Sequence, residues 1–198
     1  NLVSPRHAEG HSVSNALRLT LTLMHEQHVQ KSRSRWWPYL NFLATSVQLD
    51  LPMSWSSSDL QGLKGTALWL SSTPAEAAET FQRVVMPIMA ANSNLWPPEI
   101  QNLEMFLQAL SWVMSRGFCG ALSFELHGAV LPELTPTEAP DTSGPFLLPL
   151  FDLINHSSWP EERCVQLDVE AEDFVVRCSK DVAIGSELLP VTAHCMSR

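Results

Sequence analysis

The stretch Phe146-Leu147-Leu148-Pro149-Leu150-Phe151-Asp152-Leu153-Ile154-Asn155-His156-Ser157 decides how this 198-residue chain is read. A short apolar run over 146–150 predicts a buried strand. Four polar residues then stand among or just after apolar neighbours. Asn and His are costly to bury unless hydrogen-bonded, so the pair Asn155–His156 predicts a polar site at the edge of a core. A carboxamide both donates and accepts, which suits a zwitterionic ligand. The bare tripeptide Asn155-His156-Ser157 also fits a turn that caps a helix, and the residue types leave both readings open.

Downstream the pattern is that of strands. Val165-Gln166-Leu167-Asp168-Val169 and Phe174-Val175-Val176-Arg177-Cys178 alternate around the turn-like Glu170–Asp173, which predicts a β-hairpin. Asp181–Gly185 reads as a turn, and Glu187-Leu188-Leu189 as the start of a final strand. Upstream, residues 131–145 hold four prolines and three acids and read as an exposed loop.

Before that loop the pattern is helical. Leu17, Leu21 and Met24, flanked by Leu19 and Leu23, predict a helix over 12–31 capped by Ser12 or Ser14. Pro38 opens a helix to about Thr45. Ser56, Ser57 or Ser58 caps a short helix holding Leu60 and Leu63 and stopped near Gly65. A longer helix covers 74–92, with Phe81, Val84, Val85 and Ile88 inward and Pro87 kinking it or ending its regular part. Pro97 and Pro98 start another, with Leu103, Phe106, Leu107, Leu110, Val113 and Met114 as its apolar set and Gly117 as its end. Helices followed by a small antiparallel sheet make an α+β fold.

Composition narrows the function. A net charge of −9 disfavours a broad nucleic-acid surface and is compatible with a basic substrate. No apolar run reaches the roughly 18 residues of a membrane span, and no signal peptide opens the chain. Cys119, Cys164, Cys178 and Cys195 form no paired zinc spacing and read as free thiols. His25 and His28, three apart on a helix, read as surface histidines rather than ligands, so no metal site is expected. Dinucleotide, phosphate-loop, zinc-protease and nucleophile-elbow motifs are missing. Asp152, His156 and Ser157 do not make a hydrolytic triad, because adjacent His and Ser side chains do not reach each other in that geometry.

Pro149–Ser157 resembles the signature of SET-domain protein methyltransferases, in the branch with the Rubisco lysine methyltransferases and the actin-histidine methyltransferase. Further segments resemble that family in the same order: Ser34-Arg35-Trp36-Trp37-Pro38-Tyr39-Leu40; Trp55 with Leu60, Leu63, Gly65 and Thr66; Trp112 with Ser115-Arg116-Gly117-Phe118; and Asp181–Leu188. The similarity covers about residues 15–189. It divides the chain into a helical insertion of the SET domain over 12–130, a flexible loop over 131–145, the C-terminal SET core over 146–189 and a divergent tail over 190–198.

The resemblance implies an S-adenosyl-L-methionine (AdoMet) cofactor. Asn155 would bond its amino-acid end, His156 would meet the adenine largely through its backbone, and Arg116 would meet the carboxylate as a guanidinium fork. Arg116 at a helix C-terminus is equally a cation that stabilises the helix. Asp152 is expected to fix the turn, and Trp36, Pro38 and Tyr39 to pack the helical insertion. The family's glycine-rich GxG strands and its closing strand, with a tyrosine beside the transfer channel, have no counterpart here. Tyr39 is the only tyrosine, so no catalytic residue is assigned.

The implied activity is protein-lysine N-methylation, weak or absent in a partial domain. A non-catalytic SET-like interaction module and a protein-histidine N-methyltransferase are the alternatives. The implied partner is a protein bearing the target lysine or histidine, with neither nucleic acid nor membrane involved. The implied compartment is the cytoplasm or nucleus, with organellar import left open because the N-terminus reads as missing.

Overall fold

The computed structural model describes residues 14–46, 49–66, 74–118, 145–155, 157, 159–170 and 173–190. Most of the expected 131–145 loop, residues 191–198, His156, and Cys119 and Cys195 fall outside them. The chain divides into two compact units between Met114 and Ser115. Its described part is helix-rich with one two-stranded sheet, in keeping with the α+β expectation.

In the first unit, α1 spans Asn15–Met24, and the Ser14 hydroxyl caps it by accepting from the Leu17 amide at 3.3 Å. Leu17, Leu21 and Met24 line its buried stripe together with Thr20 and Leu23. The helix does not stay regular to residue 31. It widens into a π-helical segment over His25–Gln30, then tightens into a 3-10 turn over Lys31–Arg33, with Lys31 at φ 50°. α2 (Trp37–Ser46) carries Pro38 in its first turn and buries Leu40 and Leu43. α3 (Ser57–Leu60) is capped by Ser56, whose hydroxyl accepts from the Asp59 amide. A 3-10 turn follows, and the chain leaves it through Gly65 at φ 87°, a conformation that favours glycine.

Proline explains the irregularity of the next helix. α4 (Pro74–Thr80) and α5 (Met86–Ala91) are joined without a break by a π-helical turn over Phe81–Val85, in which the Met86 amide reaches back to the Phe81 carbonyl. Pro87 brings no amide hydrogen, and its ring would press on the carbonyl four residues earlier. The widened turn makes room for it, so the regular part of the helix gives way to a π-bulge just before Pro87. Pro98 opens only a 3-10 turn, Pro98–Ile100. The following helix, α6 (Leu103–Arg116), starts afresh from Asn102, whose Oδ1 accepts from the Glu104 and Met105 amides at 2.7 and 3.3 Å. Its inward side is Phe106, Ala109, Ser111, Trp112 and Val113, and Met114 points to solvent. The Phe81 and Phe106 rings meet at 5.4 Å in a core that also buries Leu21, Met24, Val85 and Trp96.

The second unit holds the two-stranded sheet. β1 (Val165–Glu170) and β2 (Asp173–Cys178) pair antiparallel in the register Val165↔Cys178 to Glu170↔Asp173, as the alternation predicted. Phe118, Phe151, Cys164, Val165 and Leu167 form the core, with Leu148, Ile154 and Val182 partly buried against it.

Two expected strands are not formed. Residues 146–150 make only an isolated antiparallel bridge, in which Phe118 and Phe146 exchange two 2.8 Å backbone hydrogen bonds. Their side chains are half-buried at most, and Leu150 is 76% exposed at φ 76°. Pro149 has no amide for a ladder, and positive φ at Leu150 turns the chain out of extended geometry. Glu187–Leu189 likewise runs beside β1 without becoming a strand. The Leu189 carbonyl accepts from the Cys164 and Val165 amides, and Pro190 makes a single parallel bridge to Val165. Pro190 has no amide to donate to a ladder.

Candidate functional site

Three of the segments singled out in the sequence meet in the second unit. The signature residues Phe151–Leu153 form a 3-10 turn. It is entered through Leu150 and held by backbone bonds from Asp152 to Leu148 and from Ile154 to Phe151. A bulky residue at positive φ is a genuine outlier, and its cost is met by the surroundings: the Phe151 ring packs on Phe118 at 5.4 Å, and Asp152 is only 2% exposed.

The end of α6 reaches this turn directly. Arg116 Nη1 donates to the Asp152 carbonyl at 2.8 Å. Arg116 is half-buried, and its Nε is shielded from water without a hydrogen-bond partner among the described residues. One edge of the guanidinium thus ties down the signature while another donor is uncommitted. Buried donors of this kind are costly to leave unmade, which favours an acceptor such as a ligand carboxylate.

Asn155 leaves the turn exposed. Its Nδ2 donates to Glu187 Oε1 at 2.6 Å, across 32 residues of sequence. Glu187 follows the turn that Gly185 makes at φ 86° and that the Ser186-to-Ala183 bond closes. The Glu187 stretch is anchored on β1, because the Leu189 amide approaches Cys164 Sγ at 3.4 Å and the Leu189 carbonyl accepts from Cys164 and Val165. His156 lies outside the described residues. Ser157 serves a local turn: its hydroxyl donates to Glu162 and accepts from the Trp159 amide at 3.0 Å, and its carbonyl accepts from Arg163 Nε at 3.1 Å. Ser157 is therefore occupied by turn contacts.

Sequence reasoning singled out Arg116 and Asn155 but missed Glu187 as a member of the cluster. The Asp181–Leu188 resemblance was its only signal. Reading His25 and His28 as surface histidines needs correction. His25 is 5% exposed, with its ring edge-on to Trp96 at 5.5 Å, and His28 is half-buried. The signal was present: His25 continues the stripe of Leu17 and Leu21 at helical spacing. Burial pushes both imidazoles below the ordinary histidine value of 6.5; Glu26 partly opposes this at His25, and Lys31 adds to it at His28.

Elsewhere in the first unit, an open groove of about 1130 Å³ has Glu104 as its single charged lining residue. Cys164 and Cys178 are free thiols. Among the described residues, no three His, Cys, Asp or Glu side chains gather to hold a metal, and no helix is long and apolar enough to cross a membrane.

The proteins this chain is similar to are protein-lysine methyltransferases. The N-lysine methyltransferase setd6 of Danio rerio is 31% identical over 150 residues, covering 74% of this chain and 31% of that protein. The Rattus norvegicus SETD6 is 28% identical over 180 residues, 89% of this chain and 35% of its own length, and the Homo sapiens SETD6 28% over 149 residues. The chain spans about a third of the length of the curated relatives it matches. No family model matches the chain.

Proposed function

We propose that this chain carries part of a SET-type, AdoMet-dependent protein-lysine N-methyltransferase, with the amino-acid end of AdoMet seated on the second unit. The observation that carries the reading is the cluster of Asn155, Arg116 and the Asp152 turn, drawn from segments that resemble that family and supported by relatives named as N-lysine methyltransferases.

The residues fit such a ligand. A carboxylate only accepts, so Glu187 holds the amide nitrogen of Asn155 and leaves its oxygen as an acceptor for an ammonium group. The guanidinium of Arg116, half-buried beside the signature turn, would meet the ligand carboxylate. His156 would border the adenine, as the family resemblance implies. AdoMet would supply an electrophilic methyl group on a sulfonium, whose transfer depends on in-line approach and exclusion of water more than on proton transfer.

The substrate is proposed to be a lysine in a basic protein segment. Lys and Arg number seven and Asp and Glu eight before Ser115, but five and thirteen from Ser115 on; together these make the chain's 12 and 21. The acidic excess therefore lies in the second unit, where it would attract a cationic segment. The proposed compartment is the cytoplasm or nucleus.

Transfer of labelled methyl from AdoMet to lysine-bearing peptides tests the activity. It should mark lysine and not histidine or arginine, and it should fall with Asn155→Ala. Labelled histidine would favour the histidine-methylating alternative, and AdoMet binding without any transfer the interaction-module reading.

A further inference from the structure

We infer that Glu187 is a positioning residue for the ligand's amino group, acting through Asn155 by fixing which way its carboxamide faces; this rests on the cofactor reading above. An exposed asparagine can present either its oxygen or its nitrogen to a ligand, since rotation by half a turn exchanges them. Against a carboxylate the exchange is forbidden. Oxygen facing oxygen would be repulsive, whereas Nδ2–H···Oε1 at 2.6 Å is a charge-assisted hydrogen bond. Asn155 is thereby committed to presenting an acceptor on its other edge.

The commitment needs a fixed carboxylate, and the backbone supplies it. Gly185 at φ 86° and the Ala183–Ser186 hydrogen bond set the turn, and Leu189 is bonded to Cys164 and Val165 on either side of the β1 start. Glu187 is thus held between two anchored points two residues away on each side. Asn155 is anchored in the same way by the 3-10 turn that Arg116 ties down. The carboxylate also places a negative charge beside the seat proposed for an ammonium ion, which favours a cationic amine over a neutral isostere.

The test compares two ligands on the full chain. S-adenosylhomocysteine keeps the ammonium and carboxylate, and methylthioadenosine has neither. Glu187→Gln keeps shape but lets the two amides face either way, and should weaken S-adenosylhomocysteine roughly tenfold, the effect of losing one charge-assisted bond. Methylthioadenosine affinity should be unchanged. Asn155→Asp alone should be worse, because two carboxylates then face each other. The exchange variant, Asn155→Asp with Glu187→Gln, should recover most of the affinity, with the amide donor and carboxylate acceptor swapped.

An equal loss for both ligands, or no loss for either, overturns the inference, as does failure of the exchange variant to improve on Asn155→Asp. If neither ligand binds the unaltered chain, the cofactor reading fails instead. The side-chain amide resonances of Asn155 then still decide on Glu187: they should shift in Glu187→Gln, and unchanged resonances would overturn the positioning role.

Discussion

The two units are stabilised in different ways. The helical unit hides large side chains, among them Trp96, Trp112, Phe106, Leu21 and Met89, almost completely. Among the described residues, the unit from Ser115 onward buries Phe118, Phe151, Cys164, Val165 and Leu167 and leaves Leu150, Trp159, Val176, Ile184 and Leu188 in water, with Trp159 at 64% exposure. Individual polar ties take on more of its organisation: Arg116 to Asp152, Asn155 to Glu187, and Ser157 to Glu162. Apolar burial is roughly proportional to area and tolerant of detail, whereas a hydrogen bond is specific to its partner. One unit should therefore respond to lost volume and the other to lost partners.

The largest effect is expected in the helical core. Phe106→Ala removes a fully buried ring packed on Phe81 and should cost about 3–5 kcal/mol in denaturant unfolding. Val176→Thr on the exposed face of the hairpin should change stability by less than about 0.5 kcal/mol. Comparable losses at the two sites would break the contrast.

Next comes Arg116→Met, which keeps bulk but leaves the Asp152 carbonyl without its donor. A loss of about 1–3 kcal/mol is expected, read by the fluorescence of Trp159, the one tryptophan after Ser115. A neutral result would mean that the signature turn does not depend on that tie.

Acid should act selectively on the helical unit. His25 and His28 have folded pKa values below the ordinary 6.5 because burial disfavours the imidazolium. The charged groups acting on them are Glu26 at His25 and Lys31 at His28; α2, packed against the π-helical segment, brings no ionisable group but Tyr39. Between the folded and unfolded values the unfolded chain binds more protons. Stability is therefore complete above pH 6.5 and is lost as pH falls below it. Melting at pH 7.5 and pH 5 should show this loss, and His25→Phe should flatten it. A pH-independent melt would contradict the burial of His25.

The smallest effect is a gain. Leu150→Gly relieves positive φ at an exposed leucine, and the relief is partly offset by the flexibility of glycine when unfolded. A net stabilisation of about 1 kcal/mol or less is expected in denaturant titration. A clear loss would show that the leucine side chain contributes contacts that outweigh its backbone strain.

Local chemistry made much of this legible in advance. Ser14, Ser56, Gly65 and the Val165–Cys178 alternation carry their structure in the residue type, so the caps, the turn and the hairpin followed from sequence. Features set by distant partners did not. The strand expected over 146–150 rested on hydrophobicity, and Pro149 with the positive φ of Leu150 overrode it. The π-bulge before Pro87 gives the interruption that proline predicts a form that residue type does not specify. His25 looked polar and was placed on the surface, although its helical phase pointed inward. Within the site, Arg116 and Asn155 were visible because each stands in a recognisable segment, whereas their partners, the Asp152 carbonyl and Glu187, depend on pairings 36 and 32 residues apart.

The central claim is that Asn155 seats the amino-acid end of AdoMet. Titration calorimetry of AdoMet into the chain tests it most directly. The account predicts saturable one-to-one binding that Asn155→Ala weakens about tenfold or more, while the variant melts where the unaltered chain does. Binding of undiminished affinity in Asn155→Ala would contradict it.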